Sequence, residues 1–195
     1  MGKMVYLMGK SSTGKDTLYK QLLEKEQLAL QKIVPYTTRP VRDGEIQGEE
    51  YYFTDEHGYM ALEAQGKVIE SRTYHTYHGL WRYFMVDDGR IDLSSHNYII
   101  IGTPEGFVKT AEYFGRDRLI PILLTVDDGL RLQRALDRER GQEDPRYQEL
   151  CRRFLADEED FSDKKLEEAG ITLKFSNENL VKCLGEVETY LLNCL

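Results

Sequence analysis

Between the apolar run Met4 to Met8 and a stretch with helical spacing lie residues Gly9 to Thr17, GKSSTGKDT, and this junction restricts the fold more than any other part of the chain. A buried strand that passes into two glycines five residues apart, then a lysine, curls so that successive backbone N–H groups face inwards. The helix that follows aims its positive N-terminus at the same point. The product is a cradle for a polyphosphate. Gly9 and Gly14 permit the curl, Ser11, Ser12 and Thr13 line it, and Lys15 reaches the β- and γ-phosphates. The hydroxyl of Thr17, or of Ser11 or Ser12, donates to phosphate or enters the shell of a magnesium ion. Asp16 stands where this motif ordinarily has Ser or Thr; it is either a first-turn acid favoured by the helix dipole or a group acting through the metal. A glycine-containing turn without a ligand is the plain alternative, and the two glycines, the lysine and the flanking pattern together weigh against it.

A strand feeding a helix through such a loop implies a parallel sheet flanked by helices, an α/β fold, and the rest of the chain agrees. Tyr98 to Ile101 and Leu119 to Thr125 are further apolar runs of strand length, each followed by helical spacing or a cap. Thr103, Pro104 and Glu105 predict a helix starting at Thr103. Asp127 and Asp128, ahead of Leu130, Leu132, Ala135 and Leu136, predict another. The last helix is expected over Leu180 to Leu195, with Val181, Leu184, Val187 and Leu191 on one face. From Tyr36 to Arg90 the pattern changes to short aromatic runs, Tyr51 to Phe53 and Leu80 to Phe84, broken by Gly58, Gly66 and Gly79, which predicts an inserted β-rich subdomain. Arg134 to Arg153, dense in charge and interrupted by Gly141 and Pro145, predicts an exposed, mobile segment.

With 195 residues, 41% of them apolar, the chain can bury one core. Its net charge of −8 argues against a nucleic-acid partner, whose recognition rests on neutralising phosphates. Three cysteines, Cys151, Cys183 and Cys194, are spaced neither as a zinc site nor as a disulfide framework, so reduced thiols in a cytoplasmic protein are expected. The apolar run before the glycine loop is too short for a signal-peptide core or a membrane span. His75 and His78 stand three apart with no cysteine or carboxylate pair at ligand spacing beside them, so a metal site is not expected there.

A second motif, TTRPVRDGEIQGEEYYF from Thr37 to Phe53, taken with the loop at Gly9, resembles the guanylate kinase family. The likeness runs from Met4 to Leu180. It implies a P-loop core (residues 1–34, 91–133 and 156–195), an acceptor-binding subdomain (35–90) and an arginine-bearing helical lid (134–155). The implied activity is ATP-dependent phosphorylation of a nucleoside monophosphate, GMP by preference, with Mg2+. The implied partners are those two nucleotides, with no nucleic acid or membrane, and the chain acts as a monomer or a homodimer. By resemblance Arg39, Arg42 and Tyr51 hold the acceptor's phosphate, with Glu45 between them. That chemistry stands by itself, since planar guanidinium forks bind two phosphate oxygens at once and a phenol adds a neutral donor.

Glu70, in VIES, matches a family glutamate that accepts from guanine N1 and the 2-amino group, a pair of donors adenine lacks. Tyr74, Tyr77 or His78 is expected to line the base pocket. In the lid, cations must meet the charge spread over the moving phosphoryl group, and Arg134, Arg138, Arg140 and Arg153 are available. The family's pattern points to Arg138 or Arg140, and to Arg153 before Phe154; pairing with neighbouring acids on a helix face is the alternative for each. Asn177 sits where the family places an asparagine near the adenine of ATP, or it serves as a turn or helix cap.

This chain departs from the family at Pro35 and Leu80, where hydroxyl-bearing residues are expected, and at Ile101, Gly102 and Thr103, where the strand end is expected to be acidic. Asp16 and Tyr36 resemble instead the ribose 1,5-bisphosphate kinases, an alternative with another acceptor. A third reading is a non-enzymatic interaction module like the guanylate-kinase-like domains of scaffolding proteins; the retained Gly14 and Lys15 weigh against it.

Overall fold

The computed structural model describes residues 1–42, 44–76 and 79–195, with nothing said of the Thr76 side chain. In chain order its elements are β1 (Met4–Gly9), α1 (Lys15–Leu23), β2 (Leu30–Lys32), β3 (Tyr36–Thr37), β4 (Tyr52–Phe53), α2 (Glu56–Ala64), β5 (Val68–Thr76) and β6 (Gly79–Val86). There follow β7 (Asn97–Gly102), α3 (Pro104–Phe114), β8 (Leu119–Thr125), α4 (Asp128–Arg140), α5 (Tyr147–Asp160), α6 (Asp163–Glu168), β9 (Lys174–Ser176) and α7 (Leu180–Leu192).

The main sheet has the order β2-β7-β1-β8-β9, and every pairing in it is parallel. β1 lies at its centre with all six residues buried, because side chains alternate across a strand and here both faces are covered. Met4, Tyr6 and Met8 pack into one layer with Tyr98, Ile100, Phe107 of α3 and Leu166 of α6. Val5 and Leu7 pack into the other, with Leu18 and Leu22 of α1 and Cys183, Val187 and Leu191 of α7. Each such fully buried aliphatic side chain contributes about 1.5–3 kcal/mol, which explains the unbroken apolar character of the central strands.

The helix expected at Thr103 starts there, with the Thr103 hydroxyl accepting from Gly106 N–H at 3.3 Å and Pro104 in the first turn. The expected face of α7 is the buried one only in part, and α4 buries a charged stripe. In α7 the buried residues are Cys183, Val187 and Leu191, and Val181 is 82% exposed, since the helix is rotated to lay its cysteine against α1 and β1. In α4 the buried stripe is Arg131, Ala135 and Glu139, while Leu130 and Leu132 are exposed. The inner side of α4 meets the glycine loop and α5, where a charged network rather than a leucine layer fills the space. The segment read as exposed and mobile is largely helical, formed by α4 and α5 around an exposed connection at 141–146.

The second sheet, order β4-β3-β6-β5, pairs β6 antiparallel to both β3 and β5. It is backed by a helix that the glycine-broken pattern concealed: α2, capped by Asp55, whose carboxylate accepts from Gly58 N–H at 2.7 Å. Tyr59 of α2 packs edge-on against Phe84 at 4.9 Å, and Arg82 lies over Tyr59 while bonding Glu56. Antiparallel register places Ser71 with Phe84 and Thr73 with Arg82 on this covered face. The opposite face therefore carries Glu70, Arg72 and Tyr74 from β5, with Met85, Tyr83 and Trp81 from β6. Among the described residues no helix is long and apolar enough to cross a membrane, and no group of three or more His, Cys, Asp or Glu is placed to hold a metal.

Candidate functional site

Residues 9–17 form a tight loop between the buried end of β1 and the start of α1. Gly14 adopts φ of 83°, and a β-carbon there would lie 2.6 Å from Asn177 Nδ2. Gly9 is required for a different reason: a β-carbon would meet the Leu124 carbonyl of the neighbouring strand at 2.9 Å. Ser12, at φ of 63°, takes up the remaining left-handed turn, and its hydroxyl is buried with no hydrogen-bond partner. Lys15 Nζ leans back over the loop to the Lys10 carbonyl at 3.3 Å. It is half-buried at its surface yet closely enclosed by protein, and this desolvation lowers its pKa; Asp16 and Asp157 oppose the shift, while Arg153 and Arg138 add to it. Asp16 and Thr17 are exposed in the first turn of α1.

These residues fit a nucleoside triphosphate. A desolvated ammonium, an orphaned buried hydroxyl and a helix N-terminus on one loop are groups that anionic oxygens satisfy together. Thr17 and Asp16 are the residues available to a magnesium ion there, consistent with an ion held mainly by phosphates.

Several neighbours hold the loop in shape. Asn177 is buried, donates from Nδ2 to the Thr13 carbonyl at 2.7 Å, and leaves its Oδ1 without a partner. The helix cap of α7 is the neighbouring Asn179, which accepts from Lys182 N–H. Arg134 binds the carbonyls of Asn177 and Glu178, so it fixes the β9–α7 connection. Of the other arginines in α4 and α5, Arg140 pairs with Asp137 at 3.7 Å, whereas the charges of Arg138 and Arg153 reach Lys15. Arg153 also contacts Ser11 Oγ at 3.4 Å.

Arg131 was not among the residues read from the sequence. It is completely buried, binding Asp128 through Nε and Nη2, Glu158 at 2.8 Å, Asp157 at 3.4 Å and the Ser11 carbonyl at 3.2 Å. Asp157 in turn accepts from Ser11 N–H at 2.6 Å. A charged residue at the phase of Ala135 and Glu139 was the available signal, concealed by the assumption that charged helix positions face water.

The second constellation lies on the open face of the small sheet. Arg39 is buried and forms a two-pronged bond to Glu45, Nη1 to Oε2 at 2.8 Å and Nη2 to Oε1 at 2.7 Å, over the rings of Tyr51 and Phe53. Glu45 also accepts from Arg42 N–H, and Arg42 itself is exposed. Tyr83, unread in the sequence, stands 5.6 Å from the rings of both Tyr51 and Tyr74, and it adds to the rise in the pKa of Arg39 that comes first from the hydrogen bonds to Glu45. Further along the same face Glu70 is 3% exposed, and Arg72 Nε lies 3.5 Å from its Oε2. Tyr77 and His78 lie outside the described residues.

The family model described as "Guanylate kinase" matches residues 1–80, which take in the glycine loop, the Arg39 clamp and Glu70. The chain is 27% identical over 188 residues, 96% of its length, to a guanylate kinase of Paraburkholderia xenovorans, covering 78% of that protein. Its fold superposes on the crystal structure of guanylate kinase from Anaplasma phagocytophilum with a TM-score of 0.68, covering 97% of this chain and 84% of that one at 18% identity. The chain is thus similar to guanylate kinases in its first 80 residues, and to one of them in fold along nearly its whole length. Similarity is concentrated in places: 42% identity to a guanylate kinase of Nostoc sp. holds over 73 residues, 37% of this chain and 36% of that relative.

The Arg39–Glu45 pair has a measurable signature. The hydrogen bonds from Arg39, then that from Arg42 N–H, hold the Glu45 carboxyl down to about 2 against an ordinary 4.5. A depressed carboxylate stabilises the fold above its unfolded pKa and loses that contribution as pH falls through the folded one. The stability difference between wild type and Glu45→Gln is therefore expected to be full at pH 6 and to shrink progressively from about pH 4.5 towards pH 2. Denaturant unfolding of both proteins at a series of pH values checks this; a pH-independent difference would show that the pair contributes through packing instead.

Proposed function

We propose that this chain is an ATP-dependent phosphotransferase that converts a nucleoside monophosphate, GMP by preference, to the diphosphate. The observation that carries the proposal is Lys15, desolvated on a phosphate-cradling loop with the charges of Arg138 and Arg153 nearby. In the reaction an oxygen of the acceptor's phosphate attacks the γ-phosphorus of ATP, the bond to the β–γ bridging oxygen breaks, and ADP leaves. A magnesium ion accompanying the donor, with Thr17 and Asp16 the residues that would be available to it, would neutralise part of the phosphates' charge.

The chain's own groups position and stabilise. Loop amides and Lys15 hold the donor, Arg138 and Arg153 meet the charge of the moving group, and Arg39, Arg42 and Tyr51 orient the acceptor. Glu45 acts through Arg39, fixing its fork. Glu70 serves base recognition, and Asn177 stands at the adenine side of the loop while holding the Thr13 carbonyl. No covalent enzyme intermediate is needed, because phosphoryl transfer asks the protein mainly for positioning and charge.

Of the two residues shared with the sugar-bisphosphate kinases, Asp16 is exposed in the first turn of α1 and Tyr36 is packed in the small sheet. Tyr36 belongs to the covered side of the small sheet, stacked with Phe84 at 5.5 Å, and its hydroxyl donates to Asp88 at 2.8 Å. Coupled ADP release, measured with ATP and Mg2+ across GMP, dGMP, AMP, UMP, CMP and ribose 1,5-bisphosphate, is expected to be fastest with GMP. Turnover of none of the nucleotides would end this reading.

A further inference from the structure

Three polar groups meet at the inner end of the acceptor face. The Tyr6 hydroxyl, Glu70 Oε2 and Arg72 Nε are each buried and have no hydrogen-bond partner. Two of them meet at Gly106, where a β-carbon would lie 2.6 Å from the Tyr6 hydroxyl and 3.1 Å from Glu70 Oε2, and a β-carbon on Gly102 would strike the Tyr6 ring. Arg72 stands between this cluster and the clamp, next along the open face of β5 from Glu70 and paired across the sheet with Tyr83, whose ring meets that of Tyr51. At 3.5 Å its Nε is an ion-pair neighbour of Glu70, too far for a good hydrogen bond, so both groups keep hydrogen-bonding capacity. Buried polar groups ordinarily have partners, and a pair left short of them inside a binding face is matched to a ligand edge.

We infer that Arg72 is a specificity residue, donating to the purine 6-oxo group while Glu70 accepts from the adjacent N1–H and 2-amino group. This rests on the proposed acceptor site and deepens it. An acceptor beside donors is the order of atoms along the guanine edge, whereas adenine puts an amino donor where the oxygen would be. A guanidinium facing that amino group is left unpaired, and a buried site penalises an unpaired charge more than a missing hydroxyl.

The test compares GMP with 2-aminopurine ribonucleoside monophosphate, which lacks the 6-oxo group and with it the N1 proton, keeps the 2-amino group for Glu70, and fluoresces, so that binding is read without turnover. Arg72→Met is expected to weaken GMP binding, measured by calorimetry, by about tenfold to a hundredfold, the range for a hydrogen bond to a charged group. Binding of the 2-aminopurine nucleotide, followed by its fluorescence, is expected to change by less than about threefold, the spread ordinarily seen for contacts that are not lost. Arg72→Lys, which keeps a donor and the neighbour of Glu70, is expected to restore part of the GMP affinity and to guard against a variant that merely fails to fold. Equal weakening of both nucleotides, or none, would overturn the role of Arg72 while leaving the acceptor site standing. A wild-type protein that binds neither nucleotide would overturn the acceptor reading and this inference with it.

Discussion

Replacing Lys15 by alanine is expected to reduce phosphoryl transfer by about a hundredfold to a thousandfold, the scale seen when one preorganised donor is taken from a developing negative charge. The side chain lies at the N-terminus of α1, enclosed by protein, with its pKa lowered mainly by burial. A desolvated cation has lost its hydration in advance and gains most from phosphate oxygens that arrive. Its single contact within the loop, to the Lys10 carbonyl at 3.3 Å, is weak, so the thermal midpoint should hardly move. Lys15→Arg should not rescue the rate, because a planar fork cannot occupy the place of a compact ammonium beneath the loop. ADP release measured beside the unfolding curve separates the two effects. Turnover undiminished in Lys15→Ala would remove the loop from the chemistry.

Arg131→Met should act in the opposite sense, on stability first. The guanidinium is fully buried, stacked 4.4 Å from the Phe154 ring, and ties α4 to α5 and to the Ser11 carbonyl. Removing one partner from a buried charge network typically costs 3–5 kcal/mol, and because Asp128 and Glu158 are half exposed and screened, about 3 kcal/mol is expected here. Asp157 is the group left in difficulty, being largely buried and bonded to Ser11 N–H. Arg131→Lys should recover only part of the loss, since one ammonium cannot reach Asp128, Asp157, Glu158 and a carbonyl together. Denaturant unfolding is the measurement; a loss below about 1 kcal/mol would mean that the network is little better than a surface ion pair.

What was legible in the chain followed from backbone constraint and apolar burial. The loop between β1 and α1, the parallel strands β7 and β8, and the start of α3 at Thr103 all announce themselves, because glycine, proline and unbroken apolar runs allow few conformations. The Arg39 clamp was readable through its motif, and the structure adds what the motif could not show: Arg39 spends its fork on Glu45. Arg131 and Arg72 went unread for one physical reason. Charged positions are ordinarily read as facing water, and although each has an acid close in sequence, Asp128 or Glu70, what buries it comes from elements far along the chain. α2 was obscured by Gly58, which reads as a breaker, although the Asp55 cap offsets it. In α4 the leucines marked a helix without marking its buried side, which the loop and α5 required to be charged.

The hydrogen bond from Asn177 to the Thr13 carbonyl spans 164 positions. The phosphate cradle is thus a divided object, with its backbone supplied near the start of the chain and its brace near the end. A fragment covering residues 1–80 would keep every letter of the most recognisable stretch, yet lose β8, whose Leu124 carbonyl borders Gly9, and the β9–α7 connection that braces Gly14. During synthesis the loop can be spelled long before it can be built, and the part of this chain easiest to recognise is smaller than the part that has to fold to hold a phosphate.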